Sequence, residues 1–116
     1  MRNLAAAVLS IVLAFGLVGP AAAASFDCAK ATSADEKTIC HTCVLAQKDV
    51  KMATLYDVLT NLVAMGQRGD LQDQQRSFLK TRAACGSDEH CIAKAYDARI
   101  AKLEAGLKEI YAGGPY

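Results

Sequence analysis

The sequence predicts an all-α fold: a small, disulfide-stapled helical bundle of one short and three main antiparallel helices. Three observations carry this. Apolar residues recur at threes, fours and sevens through most of the chain, the period of a helical face. No strand-like alternation runs longer than a few residues. Five cysteines, Cys28, Cys40, Cys43, Cys85 and Cys91, fall within one short domain, the density expected of a scaffold whose core needs covalent help.

The N-terminus reads as a cleaved signal peptide over residues 1–24. Arg2 is the positive end, and Leu4 to Val18 is apolar and uncharged. Gly19-Pro20 breaks the run, and Ala22 and Ala24 supply the small-x-small pattern, which places the cut before Ser25. The run is shorter than the roughly 20 apolar residues of a membrane span, so no span is expected after cleavage. Asp27 directly before Cys28 does not suit a lipidation box. Removing Arg2 leaves twelve basic and twelve acidic side chains in the mature domain, residues 25–116. A neutral chain lacks the basic footprint that nucleic acid requires, and it gives no strong steering toward a charged partner.

Ser33-Ala34-Asp35-Glu36 is a capping box, so a short helix is expected from Ala34 to about Cys40. Thr42 can cap a second helix, whose apolar positions are Leu45, Met52, Leu55, Leu59 and Leu62. Gly66 and an Arg68-Gly69-Asp70 turn are expected to close it. Asp70 would then cap a third helix, Leu71 to about Ala84, with Leu71, Phe78 and Leu79 facing the core and Gly86 ending it. Ser87-Asp88-Glu89 opens the last helix, striped by Ile92, Tyr96, Ile100, Leu103, Leu107 and Ile110 and stopped by Gly113-Gly114-Pro115. Cys85 and Cys91 bracket a five-residue turn and can bridge two helix ends. Cys28 with Cys40 would tie the N-terminal segment to the first helix. Four cysteines allow three pairings. An odd fifth leaves a free thiol or a link between chains.

Phe26-Asp27-Cys28-Ala29-Lys30, Glu36–Cys40, Leu45-Ala46 with Asp49, Met52 and Tyr56, then Gln75–Arg82, Cys85-Gly86-Ser87-Asp88, Cys91-Ile92, Tyr96, Arg99-Ile100 and Leu103 together resemble the LprI-like lysozyme-inhibitor family. The resemblance covers nearly the whole mature chain. It departs at Phe78, where the family usually has Trp, and at Ala83, where an acidic or amide residue is common. It departs again at Cys43, where a helix-starting Pro is common. That position suits the first turn of a helix and makes Cys43 the odd cysteine. The resemblance implies a periplasmic or secreted bacterial protein that inhibits lysozyme, a virulence function of the bacterial envelope. Fold alone does not fix function.

Cys40-His41-Thr42-Cys43 is a C-x-x-C, but no thioredoxin-like βαβ pattern surrounds it. A zinc set from Cys40, Cys43, His90 and Cys91, with His41, would compete with disulfides for the same sulfurs. Neither a metal nor another cofactor is expected. Asp49, Tyr56, Arg76, Arg82, Tyr96 and Arg99 are expected to form a structural polar network, because a small protein that buries Arg must pair it. No catalytic arrangement stands out, and an enzyme is not expected. Asp88 and Glu89, on the Cys85–Cys91 turn, are the candidate contacts for a basic partner such as lysozyme. The alternative is a periplasmic interaction module that binds another envelope or host protein through an apolar patch, with Val44, Val58, Tyr111 and Tyr116 as candidates. A dimer linked through Cys43 is a further expectation.

Overall fold

The computed structural model describes residues 23–113. Most of the proposed signal peptide, Gly114-Pro115 and Tyr116 lie outside the described residues. A single 3-10 turn, Cys28–Lys30, precedes four α-helices: α1 (Ala34–His41), α2 (Cys43–Leu62), α3 (Met65–Ala84) and α4 (Glu89–Ala112). Among the described residues there is no strand.

Local chemistry explains most of the boundaries. Ser33 Oγ accepts from Glu36 N at 3.4 Å, and the Glu36 carboxylate accepts from Thr32 N at 3.0 Å, so the capping box closes one residue further out than its usual form. Asp88 accepts from Cys91 N at 3.0 Å and starts α4. Gly86 takes φ +58°, a left-handed conformation that glycine adopts without a Cβ penalty, and turns the chain between α3 and α4. Thr42 sits at the cap position of α2 but makes no side-chain capping bond. Its hydroxyl donates instead to Glu89 Oε1 at 3.1 Å, joining the starts of α2 and α4.

The expected turn at Arg68-Gly69-Asp70 is not there. Gly66, Arg68, Gly69 and Asp70 all lie inside α3, which starts six residues earlier than the sequence predicts and makes no side-chain cap at Ala64. The chain reverses at Val63-Ala64, between Leu62 and Met65. Arg68 Nε donates to Thr60 O at 2.9 Å and covers one of the carbonyls that the end of α2 leaves unpaired.

Helix α3 runs antiparallel to both α2 and α4. The pairings Arg68 with Thr60 and Gln75 with Met52 set this for α2 and α3. Arg82 with Tyr96 and Arg99 with Gln74 set it for α3 and α4. Helices α2 and α4 consequently run parallel, as Lys48–Asp97 and Lys51–Glu104 show, and they share the largest packing face. Of the other two main helices, α2 is therefore antiparallel to α3 and not to α4. Gly106 makes the α2–α4 approach close: a Cβ there would meet Leu59 Cδ2 at 3.0 Å.

The core is Ile39 from α1, Leu45, Ala46, Met52 and Leu59 from α2, Phe78 from α3, and Ile92, Tyr96, Ile100 and Leu103 from α4. Phe78 and Tyr96 meet at a tilted angle with centroids 5.3 Å apart, an aromatic geometry favoured by the ring quadrupoles. Leu62 and Leu79, expected on core faces, are exposed, and Leu55, Leu71, Leu107 and Ile110 are half-buried.

Candidate functional site: a buried charge cluster and two disulfide staples

Disulfides join Cys28 to Cys40 and Cys85 to Cys91. The first pins the 3-10 turn to the last turn of α1. The second clamps the α3–α4 corner. Cys40 is thus bonded to a residue outside the C-x-x-C spacing. Cys43 is free and exposed at the first turn of α2, where Gln47 Nε2 lies 3.6 Å from its sulfur.

The polar residues of the interior form two groups rather than one network. The first gathers Asp35 of α1, Asp49 of α2, Arg82 of α3 and Tyr96 of α4, all buried. Arg82 Nε donates to Asp35 Oδ2 at 2.7 Å, and Arg82 Nη1 donates to the Tyr96 hydroxyl at 3.2 Å. The Tyr96 hydroxyl in turn donates to Asp49 Oδ1 at 2.9 Å. The guanidinium also lies over the Phe26 ring, 5.7 Å from its centroid. Asp49 Oδ2 accepts from the backbone N of Ser25 at 2.6 Å. Arg82 Nη1 stands 3.9 Å from Asp49 Oδ1, so its tighter pairing is with Asp35.

These contacts fix the protonation states. Burial alone would raise the Asp35 carboxyl. The Ser33 hydroxyl and then Arg82 outweigh it and hold the group below its ordinary value. For Tyr96, burial and then the neighbouring Asp49 carboxylate push the phenol well up, so it stays protonated and acts as a donor. Each helix thus gives one side chain to a hydrogen-bonded cluster whose partners are far apart in sequence.

The second group surrounds Arg99 on α4. Its Nε and Nη1 donate to Gln75 Oε1 at 3.0 Å and Gln74 Oε1 at 3.2 Å, and its Nη2 donates to Leu71 O at 3.4 Å. The guanidinium lies 6.0 Å from the Tyr56 ring centroid, a cation–π distance. Burial lowers its pKa from the ordinary arginine value. Amides and a carbonyl, rather than a carboxylate, hold Arg99.

Of the six residues expected in the polar network, Asp49, Arg82 and Tyr96 come together, and Arg99 meets Tyr56 separately. Arg76 joins neither. It is exposed on α3 and pairs with Asp73 one turn away on the same helix. Sequence reasoning missed Asp35 as the partner of Arg82, reading it only as part of a capping box, and it missed Phe26, Gln74 and Gln75. The signal for its burial, though not for its partner, was available: position 35 points inward on the same face of α1 as Ile39, one turn on.

Asp88 and Glu89 are both exposed but already engaged. The Asp88 carboxylate caps α4, and Glu89 accepts from Thr42. Ser87 and His90 beside them are exposed on the stapled corner. On the opposite side, a surface cavity of about 640 Å³ lies where α2, α3 and α4 diverge, lined in part by Leu59, Leu62, Val63, Leu71 and Ile110.

The fold and these groups define a disulfide-stapled four-helix domain with a buried ionic centre. Compared with protein-family models, with curated proteins and with solved structures, the chain matches none of them. Among the described residues, no helix is long and apolar enough to cross a membrane.

Proposed function

We propose that this is an exported bacterial binding protein of the lysozyme-inhibitor type, acting in the periplasm or outside the cell by occluding the lysozyme cleft. The observation that supports it most is the α3–α4 corner. An exposed turn is clamped by Cys85–Cys91 and presents Asp88 and Glu89 at the start of a long helix. A turn fixed before binding loses little conformational entropy on docking. Its carboxylates suit the basic surface of a lysozyme. The LprI-like resemblance supplies the identity of the partner.

The test is inhibition of cell-wall lysis by the purified protein, against both animal-type and goose-type lysozymes. Inhibition at micromolar excess is expected, and Glu89→Lys should weaken it without changing the helical circular dichroism. Unchanged lysis by both enzyme types would overturn the reading.

A second reading rests on a separate observation. Leu62, Met65, Val44, Val58, Leu79 and Tyr111 are exposed, Met65 at 84%. Leu62 and Met65 sit at the α2–α3 corner beside the 640 Å³ cavity. In this reading the domain is an envelope interaction module that binds a protein partner through that corner. Met65→Lys should then abolish recovery of the partner from envelope extracts, with lysozyme absent, while leaving the helical circular dichroism unchanged.

A further inference from the structure

Asp49 is 1% exposed, yet the two hydrogen bonds to its carboxylate come from neutral groups. One is the Tyr96 hydroxyl at 2.9 Å and the other is the Ser25 backbone N–H at 2.6 Å. The one guanidinium of the cluster, Arg82, is bonded to Asp35, and its nearest approach to Asp49 is 3.9 Å. Two carboxylates therefore face one cation. A buried carboxylate is stable only when its charge is met or amply hydrogen-bonded. The ionisable groups placed against Asp49 among the described residues are Arg82 from α3 and Tyr96 from α4, and Asp35 from α1 shares Arg82 with it. Lys48, on the same helix, is paired outward with Asp97.

The atom on Asp49 Oδ2 is the nitrogen immediately after the small-x-small site at Ala22 and Ala24. Hydrolysis of the Ala24–Ser25 peptide bond by one water gives the Ala24 carboxylate and a free Ser25 amine. At neutral pH that amine takes up a proton and becomes an ammonium. The same nitrogen changes from a neutral donor to a cation with three N–H bonds.

We infer that removal of the leader completes the buried cluster: the α-ammonium of Ser25 is the second cation of that cluster and forms an ion pair with Asp49. The domain is then assembled for its mature form, and processing is a step in its stabilisation. Ser25 itself is exposed, so the ammonium keeps water on one side while Asp49 holds the other. Cleavage also removes Ala24, which is half-buried against the core edge, and so exchanges one apolar contact for the charge pair. Phe26, next along, lies under Arg82 and holds the segment in place. The inference rests on the export half of the function proposed above and is independent of lysozyme.

The experiment starts from the full chain, exported and processed by a bacterial host. Mass spectrometry and N-terminal sequencing should give Ser25 as the first residue. The α-amine should titrate one unit or more above the roughly 7.7–8.0 of a free N-terminus, as a carboxylate within ion-pair distance requires. Its rate of reductive methylation at neutral pH should fall at least tenfold relative to the urea-unfolded chain. A variant with Gly-Ser inserted between Ala24 and Ser25 keeps the same charge but moves the amine away. Its Tm should be several degrees lower at pH 7. The raised pKa means that the stabilisation is fully present below pH ~7.7 and is lost as pH rises through the folded value, so the two Tm values should converge at high pH. In an Asp49→Asn background the insertion should have no effect on Tm. Should that variant fail to fold, the amine titration in the natural sequence decides the matter alone. An N-terminus other than Ser25 overturns the inference through its export half. A Ser25 amine with ordinary pKa and reactivity, and equal Tm values with and without the insertion, overturns the ion pair itself.

Discussion

Arg82 reaches Asp35 and Tyr96 with separate N–H groups while its face covers Phe26. Removing it strands the buried Asp35 carboxylate and takes the Nη1 donor from the Tyr96 hydroxyl, so Arg82→Met should destabilise the domain by about 3–5 kcal/mol in urea unfolding. Tyr96→Phe keeps the ring packing against Phe78 but leaves Asp49 Oδ1 without its hydroxyl donor. Its cost should be smaller, about 1–3 kcal/mol. The two losses should not add in the double variant, because both act on one network. Asp35 also sets a pH dependence. Its carboxyl is held below the ordinary value in the folded state, so the unfolded chain takes up a proton first as pH falls. The stability it contributes is fully present above about pH 4 and is lost as pH drops through the lowered folded value. Thermal unfolding between pH 6 and pH 2 should show this slope, and Asp35→Asn should flatten it. None of this was legible from Asp35 alone. In the sequence it belongs to a capping box, and only the packing of α1 against α3 brings it to Arg82, 47 positions away.

The starts of α1 and α4, which carry a capping side chain, were legible, and the start of α3 was not. Ser33 and Asp88 announce α1 and α4 because a side-chain oxygen there satisfies an otherwise unpaired N–H. Helix α3 starts at Met65 after Ala64, with no capping side chain, and its first turns carry Gly66 and Gly69. Glycine beside Arg and Asp reads locally as a turn. The helix forms regardless, because Arg68 ties back to Thr60 and Leu71 and Phe78 dock on the bundle: tertiary packing overrides weak local preference. This gives a sharp prediction. Both glycines are helical with open space where a Cβ would go, so Gly66→Ala and Gly69→Ala should each stabilise by about 0.5–1 kcal/mol. A turn at Arg68-Gly69-Asp70 would instead make Gly69→Ala neutral or destabilising. Gly106→Ala is the internal control. It gains the same helix propensity but presses a methyl onto buried Leu59, so it should gain less than either of the others. The interior stripe of α4, Ile92, Tyr96, Ile100 and Leu103, was plain in the sequence because its period is regular and its far face is charged. The split of the polar residues into an Arg82 group and an Arg99 group was not, since helix periodicity gives the face of a residue and not its partner across the bundle.

The domain holds a small core, and covalent and ionic ties carry much of its definition. The two bridges lie at the end of the bundle where α2 and α4 start and where Thr42 bonds Glu89, one fixing the N-terminal segment to α1 and one the α3–α4 corner. Digestion without reduction should yield Cys28–Cys40 and Cys85–Cys91 peptides, and loss of either bridge should cost roughly 2–4 kcal/mol in the chain-entropy view. A Cys40–Cys43 peptide would contradict this arrangement. With four cysteines paired, Cys43 is left at the exposed first turn of α2, outside the core. In the oxidising compartment proposed above an exposed thiol meets copies of itself, and a symmetric link through one cysteine is the simplest covalent dimer. Non-reducing gels of the purified protein should therefore show a dimer band that disappears with reductant. Cys43→Ser should abolish it. Because Cys43 is exposed and its sulfur accepts a hydrogen bond from Gln47 on its own helix, the substitution should leave circular dichroism and urea midpoint unchanged within about 0.5 kcal/mol. If Cys43→Ser destabilises the fold instead, the thiol has a packing role that its exposed position does not provide. A Cys43→Ser chain that still ran as a covalent dimer would place the intermolecular link at one of the four bridge cysteines.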